Sequence, residues 1–125
     1  NDFIKQARRI RKVFGGGMRQ AGYLAAAGLY ALQNNIDRLK VDHLRAQVIA
    51  ELLKEKPFVE KLYSVETNLV IFKLQQNIDD QKFLENLKDK GVIAVSMGKQ
   101  LVRFVMHLDV IDEQFNQLKE IIEDL

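Results

Sequence analysis

The chain has 125 residues, of which 47% are hydrophobic and 29% are charged, with one proline and no cysteine. This composition is typical of one packed globular unit, and it excludes a disordered chain, a disulfide framework and a thiolate metal site. The net charge is only +2, which excludes a basic surface over the whole chain, and the lack of cysteine favours a cytoplasmic protein.

The first segment has apolar residues at the spacing of a helix. Phe3, Ala7, Ile10 and Phe14 recur every three or four positions, so they form one stripe of an amphipathic helix. Five of the first twelve residues are basic, and they are Lys5, Arg8, Arg9, Arg11 and Lys12. We expect this helix to end at the three glycines of residues 15–17, because glycine is costly inside a helix.

Two further helices are predicted before the single proline. Residues 18–32 are apolar nearly all round, which predicts a buried helix that packs against elements of a complete protein. The longest apolar run, residues 21–32, is shorter than the roughly 20 residues that a membrane span needs. From Ile36 an amphipathic helix follows and ends before Pro57, with a stripe formed by Leu39, Leu44, Val48, Ile49, Leu52 and Leu53. The wet side of this helix includes Arg45.

The second half changes to the pattern of short strands. The runs rich in β-branched and aromatic residues are 59–63, 68–74, 92–97 and 101–106. A helix capped by Asp79 or Asp80 and ended by Gly91 lies between the second and third runs, and a last helix begins at Asp112. The order ββαββα predicts an α+β fold, with N-terminal helices followed by a small antiparallel sheet that helices cover on one face.

The predicted elements divide the chain into two parts. Residues 1–56 form a helical segment, and residues 57–125 form a small C-terminal α+β domain.

The glycine loop between the first two helices is a candidate anion site. Backbone N–H groups at the start of a helix attract phosphate or carboxylate, and Lys12 and Arg19 flank the loop. The alternative is that the glycines only bend the chain while the basic residues are solvated. Because glycine loops alone are common, the pattern favours the alternative.

Several strings resemble the threonine aldolases, which are fold-type-I enzymes that use pyridoxal 5'-phosphate (PLP). The most specific is GGGMRQAG at residues 15–22, preceded by Arg11 and Lys12 and followed by LAAAG at residues 24–28. The resemblance continues through the asparagines at 34–35 to Asp42 and His43. It resumes with ETN at residues 66–68 and with VRFVMHLDV at residues 102–110, so it covers essentially the whole chain.

Arg103 is the leading candidate for a binding residue. Alternation along its strand places Val102, Phe104 and Met106 toward the helices, and Arg103 on the opposite face. A guanidinium fork suits a planar carboxylate, and the resemblance implies that Arg103 holds the α-carboxylate of an amino-acid substrate. Apart from the resemblance, a solvated arginine on an open sheet face is the better interpretation.

The resemblance also suggests roles for two other cations. It implies that Lys12 lies at the active site as a substrate-binding residue, and that Arg19 lies near the cofactor phosphate or a subunit boundary. His43 is expected to be solvated and His107 to make a structural hydrogen bond. Two distant histidines predict no metal site.

The chain also departs from the family pattern. Met106 stands where these enzymes commonly carry threonine, and no lysine has the serine-lysine-glycine context of the cofactor-anchoring Schiff-base lysine. Lys90-Gly91 is typical of a helix C-terminus instead. The resemblance therefore places the catalytic lysine upstream of the chain, and it predicts that these 125 residues alone bind no PLP and are inactive.

The resemblance predicts a parent that cleaves L-threonine or L-allo-threonine to glycine and acetaldehyde. Its implied partners are the amino-acid substrate, the chain's own N-terminal PLP domain and further subunits of a homo-oligomer, with no nucleic acid and no membrane. Two alternatives stay open. An interaction module would use the helical face of residues 18–53, and a nucleic-acid binder would use Lys5, Arg8, Arg9 and Lys12.

Overall fold

A computed structural model describes all residues from 1 to 125. Five helices and four strands follow one another along the chain. Their bounds are α1 Asp2–Val13, α2 Gly22–Asn34, α3 Leu39–Lys54, β1 Val59–Leu62, β2 Leu69–Leu74, α4 Asp80–Asp89, β3 Val95–Ser96, β4 Leu101–Val105 and α5 Asp112–Glu123. None of the helices combines the length and the apolar character that crossing a bilayer would require. Contacts divide the chain into two compact units, Asn1–Asp37 and Arg38–Leu125.

The first unit consists of α1 and α2, and neither helix has a buried residue. The side chain of Asn1 caps α1 by accepting a hydrogen bond from the Phe3 N–H at 3.2 Å. The predicted end of α1 at the glycines is confirmed, because Gly15 adopts a left-handed φ of +83°. α2 begins at Gly22, four residues later than expected, and the preceding residues form a turn.

The second unit contains one antiparallel sheet with the strand order β1-β2-β4-β3. β2 and β4 pair from Leu69↔Val105 to Lys73↔Leu101 and form the centre of the sheet. β1 pairs with the outer edge of β2, with an irregularity between Val59 and Lys61. β3 pairs with the other edge of β4 over two residues only.

Helices cover one face of this sheet. Val70, Phe72, Val102 and Phe104 are buried together with residues from α3, α4 and α5. The rings of Phe72 and Phe104 meet edge to face at 5.3 Å. Alternate residues of β2 and β4 are only half-buried, which is the period of two expected for a sheet with one covered face. The predicted α+β fold and the one-sided cover are confirmed.

The caps of α4 follow the sequence prediction. The carboxylate of Asp79 accepts hydrogen bonds from the N–H groups of Gln81 and Lys82 at 3.0 and 3.1 Å. Gly91 follows the helix with a φ of +87°, a conformation that residues with a Cβ atom rarely adopt.

The structure differs from the sequence prediction within α3. The predicted stripe is confirmed at Ile49 and Leu53 but wrong at Leu44 and Val48, which are exposed. The buried residues of α3 are Asp42, Ala46, Ile49, Ala50 and Leu53. The sequence predicts Arg45 on the solvent-facing side of the helix, but its side chain is only 13% exposed. Short alanines allow α3 to approach the sheet closely, and this selects a face that hydrophobicity alone did not indicate.

α3 packs on the sheet and on α5, and so belongs to the second unit. The division of this chain after Asp37 therefore differs from the predicted division after residue 56. For a longer parent, a domain boundary at residue 56 stays a prediction. The predicted third strand, residues 92–97, is also shorter, since only Val95 and Ser96 pair with β4.

Candidate functional site

Arg103 lies in the middle of β4, on the sheet face that the helices leave open. Its neighbours on the strand, Val102 and Phe104, are buried in the core, whereas Arg103 is half-buried. Across the strands it lies opposite Ile71 of β2 and Val95 of β3. The alternation predicted for this strand is therefore confirmed, and it projects the guanidinium away from the core.

No residue of the chain pairs with the guanidinium of Arg103. It takes part in none of the hydrogen bonds or ion pairs of the chain, and its Nε is the one buried side-chain nitrogen or oxygen without a partner. Leaving a buried donor unpaired costs about 1–3 kcal/mol. No carboxylate of the chain offsets this cost. The arrangement is therefore consistent with a guanidinium that binds an acceptor from outside the chain.

The nearest ion pair on the open face joins Lys73 to Glu60. The Lys73 Nζ lies 2.7 Å from a carboxylate oxygen of Glu60. Lys73 pairs with Leu101 of β4 and with Lys61 of β1, so this ion pair lies toward the β1 side of the sheet. Glu60 is thus already paired with a cation. The residues opposite Arg103 on the neighbouring strands, Ile71 and Val95, are apolar.

The segment after β4 is held by hydrogen bonds from other elements. The Asn68 amide donates to the Met106 carbonyl at 2.6 Å. Arg45 of α3 donates to the Val110 carbonyl and to the Asp112 carboxylate, and its guanidinium lies 5.3 Å from the centroid of the Phe115 ring. These contacts fix the end of the strand that carries Arg103 against two helices.

Sequence reasoning missed the role of Arg45 and of the Arg38–Asp42 pair. Asp42 is 2% exposed, and its carboxylate accepts a hydrogen bond from Arg38 at 2.6 Å. The spacing of four residues between the two was visible in the sequence and is typical of helical ion pairs. No local signal linked Arg45 to Asp112, because 67 residues separate them.

Lys12 and Arg19 lie in the first unit, whereas Arg103 lies in the second. Both residues are exposed, and neither side chain makes a hydrogen bond or an ion pair. Lys12 lies in the last turn of α1, and Arg19 lies in the turn before α2. Each is therefore free to meet an anion.

The glycine loop beside Lys12 ends α1. The N–H groups of Gly15 and Gly16 donate to the carbonyls of Lys12 and Arg11 at 3.1 and 2.8 Å, and that of Gly17 donates to Gly15. A Cβ atom at Gly16 would lie 2.4 Å from Cγ of Arg11, so the turn requires glycine there. Because the three N–H groups are engaged, the loop favours the chain-bending interpretation over an anion cradle.

A cavity of about 400 Å³ lies beside the end of β4 and α5. Its lining includes His107, Asp109 and Gln114, and Arg103 is not part of it. Nδ1 of His107 accepts a hydrogen bond from the Asp109 N–H at 3.3 Å, which is a local structural contact. No three His, Asp or Glu side chains lie close enough together to hold a metal ion.

Comparisons with known proteins agree with the resemblance seen in the sequence. Low-specificity L-threonine aldolase of Escherichia coli (strain K12) is 40% identical over 117 residues, which are 94% of this chain and 34% of that protein. Low-specificity L-threonine aldolase 1 of Arabidopsis thaliana is 35% identical over 108 residues, 84% of this chain and 30% of that protein. The chain thus spans about a third of the length of these relatives.

A solved structure supports the fold. The ornithine aminotransferase of Toxoplasma gondii superimposes with a TM-score of 0.53 at 19% identity, over 70% of this chain and 20% of that chain. This likeness agrees with the predicted α+β fold. A family model described as Beta-eliminating lyase matches residues 1–77, more than half of the chain. On this match, and with threonine aldolases as its relatives, the chain belongs to the beta-eliminating lyase family.

Proposed function

We propose that the chain is the C-terminal portion of a PLP-dependent threonine aldolase. The parent cleaves L-threonine or L-allo-threonine to glycine and acetaldehyde, and PLP supplies the electron sink for breaking the Cα–Cβ bond when it is bound there. The observation that carries the proposal is the unpaired Nε of Arg103 on an open sheet face, in a chain related to threonine aldolases.

Arg103 binds the α-carboxylate of the amino-acid substrate in this proposal. A guanidinium offers two parallel N–H donors to a carboxylate, and its fixed fork sets the orientation of the bound molecule. The rigid central strand β4 holds this fork, with β2 on one side and β3 on the other. A substrate that is held in a fixed orientation loses less entropy on reaching the transition state, which lowers the activation barrier.

Lys12 and Arg19 complete the set of proposed binding residues. Lys12 binds substrate, and Arg19 binds the phosphate of the cofactor, since both are exposed cations without an internal partner. The lysine that anchors the cofactor is assigned to the rest of the parent, because no lysine of this chain has the sequence context expected for it.

The remaining partners are proposed on the same basis. The exposed apolar side chains of α1 and α2 contact the N-terminal PLP domain and neighbouring subunits of a homo-oligomer. Because the cofactor-anchoring lysine is assigned to the rest of the parent, the isolated chain is expected to show no PLP absorbance and no aldolase activity.

A chimera tests the function. This chain replaces the aligned 117-residue segment of the Escherichia coli relative, and cleavage of L-threonine is measured. Arg103→Lys keeps the charge but removes the fork, so we expect kcat/KM to fall about 100-fold, which corresponds to about 2.7 kcal/mol. Arg38→Lys, in the second unit but engaged with Asp42, is the matched control. An Arg103→Lys chimera as active as its parent would remove Arg103 from the proposed site.

A further inference from the structure

Val95 lies directly opposite Arg103 on the edge strand β3, and Ile71 lies opposite on the other side. Side chains at such paired positions share a face, with Cβ atoms about 4.5–5.5 Å apart. We propose that Val95 is a positioning residue, which fills the place from which an acidic side chain would capture Arg103 and so keeps the guanidinium available to an external carboxylate. This inference rests on the proposed role of Arg103.

The position of Val95 supports this role. Edge strands of natural sheets are commonly protected by charged side chains, and an exposed edge position next to a cation would readily accept aspartate or glutamate. Val95 is nevertheless apolar and 45% exposed. A valine in this place forgoes the ion pair that would satisfy Arg103 within the chain.

The other neighbours of Arg103 on the open face support the role proposed for Val95. The residues two positions from Arg103 along β4 are Leu101 and Val105, and both are apolar and half-buried. Glu60 of β1 is paired with Lys73. Every register position next to Arg103 is thus occupied by a group that cannot accept a hydrogen bond from the guanidinium, and its Nε has no acceptor.

A double-mutant cycle tests whether position 95 meets Arg103. Val95→Asp introduces a carboxylate, and Val95→Asn is the uncharged variant of nearly the same shape. At low salt we expect Val95→Asp to unfold about 2–4 °C higher than Val95→Asn, and we expect this difference to vanish when Arg103→Gln is added. An equal difference in both backgrounds would overturn the inference, whatever the chain binds.

Carboxylate binding tests the consequence for Arg103. Acetate is added to the isotope-labelled chain up to about 0.1 M, since a single ion pair binds weakly, and the Arg103 Nε–H resonance is followed, with chloride at the same ionic strength as the control. The unsubstituted chain and the Val95→Asn variant should both show a shift of this resonance with acetate. Val95→Asp should show a shifted resonance before acetate is added and at least a tenfold weaker response.

The outcomes separate this inference from the proposed function. If Val95→Asp responded to acetate as the unsubstituted chain does, the inference about Val95 would be overturned and the proposed function would stand. If the unsubstituted chain showed no acetate response, the role of Arg103 in the proposed function would be overturned. The role proposed for Val95 would then fall as well, even if the double-mutant cycle showed that residues 95 and 103 interact.

Discussion

Apolar residues make up similar fractions of the two units, but the two units bury them differently. α2 is apolar nearly all round, yet Leu24 is 63% exposed and Leu32 is 65% exposed. In the second unit, Phe72 and Leu74 of β2 are fully buried. The difference shows that hydrophobic composition alone does not make a core, because burial requires facing elements that supply the other half of the contact.

The same difference separates the polar residues. Arg45 and Asp42 of the second unit have hydrogen-bonded partners inside the fold, whereas the basic residues of α1 have none. Arg38 and Arg45 of the second unit therefore contribute to the packed structure. Arg103 also lies in the packed unit, but its buried Nε has no partner, which is why we propose a binding role for it.

The largest contrast is expected for loss of apolar volume. Phe72→Ala removes a fully buried ring that contacts Phe83 and Phe104, so we expect the free energy of unfolding to fall by about 3–5 kcal/mol. Leu24→Ala in α2 should change it by less than about 0.5 kcal/mol. Urea unfolding measures both, and similar losses at the two sites would refute the distinction between the units.

A smaller contrast is expected for loss of a cation. Arg45→Met removes two hydrogen bonds and the contact with the Phe115 ring, and should destabilise the chain by about 1–3 kcal/mol. Arg9→Met in α1 is the matched control and should cost less than about 0.5 kcal/mol. Denaturant midpoints at constant pH decide between them. If Arg45→Met left the denaturant midpoint unchanged, the contacts after β4 would contribute little to stability.

The smallest contrast is expected at the helix caps. Asp79→Ala removes the acceptor for two N–H groups of α4 and should cost about 1 kcal/mol in the main unfolding transition. Asn1→Ala removes the cap of α1, and here we expect a loss of helical circular dichroism with no shift of that transition. A shift as large as that of Asp79→Ala would show that α1 unfolds together with the sheet.

Local sequence signals predicted most elements of the fold. The glycines ended α1, Asp79 capped α4 and the period of two identified β2 and β4. The length of β3 could not be predicted in this way, because residues 92–97 all suit a strand and only the register with β4 limits pairing to Val95 and Ser96. The buried face of α3 was predicted only in part for a similar reason, since Ala46 and Ala50 face the core in place of Leu44 and Val48.

The candidate site was predicted in part. Alternation placed Arg103 on the face away from the core, and the structure agrees. The roles of Arg103, Lys12 and Arg19 in binding stay predictions. That Arg103 has no internal acceptor could not be read from the sequence, since its cross-strand neighbours Ile71 and Val95 are distant in the chain and depend on strand register.

The sequence by itself determined the family, the order of helices and strands, and the face on which Arg103 lies, because these follow from local strings and short periodicities. The tertiary structure decided which apolar helix is buried, how Arg45 reaches Asp112 and which residues flank Arg103. These depend on contacts between residues far apart in the chain, and the free energy of such contacts is set by packing and strand register.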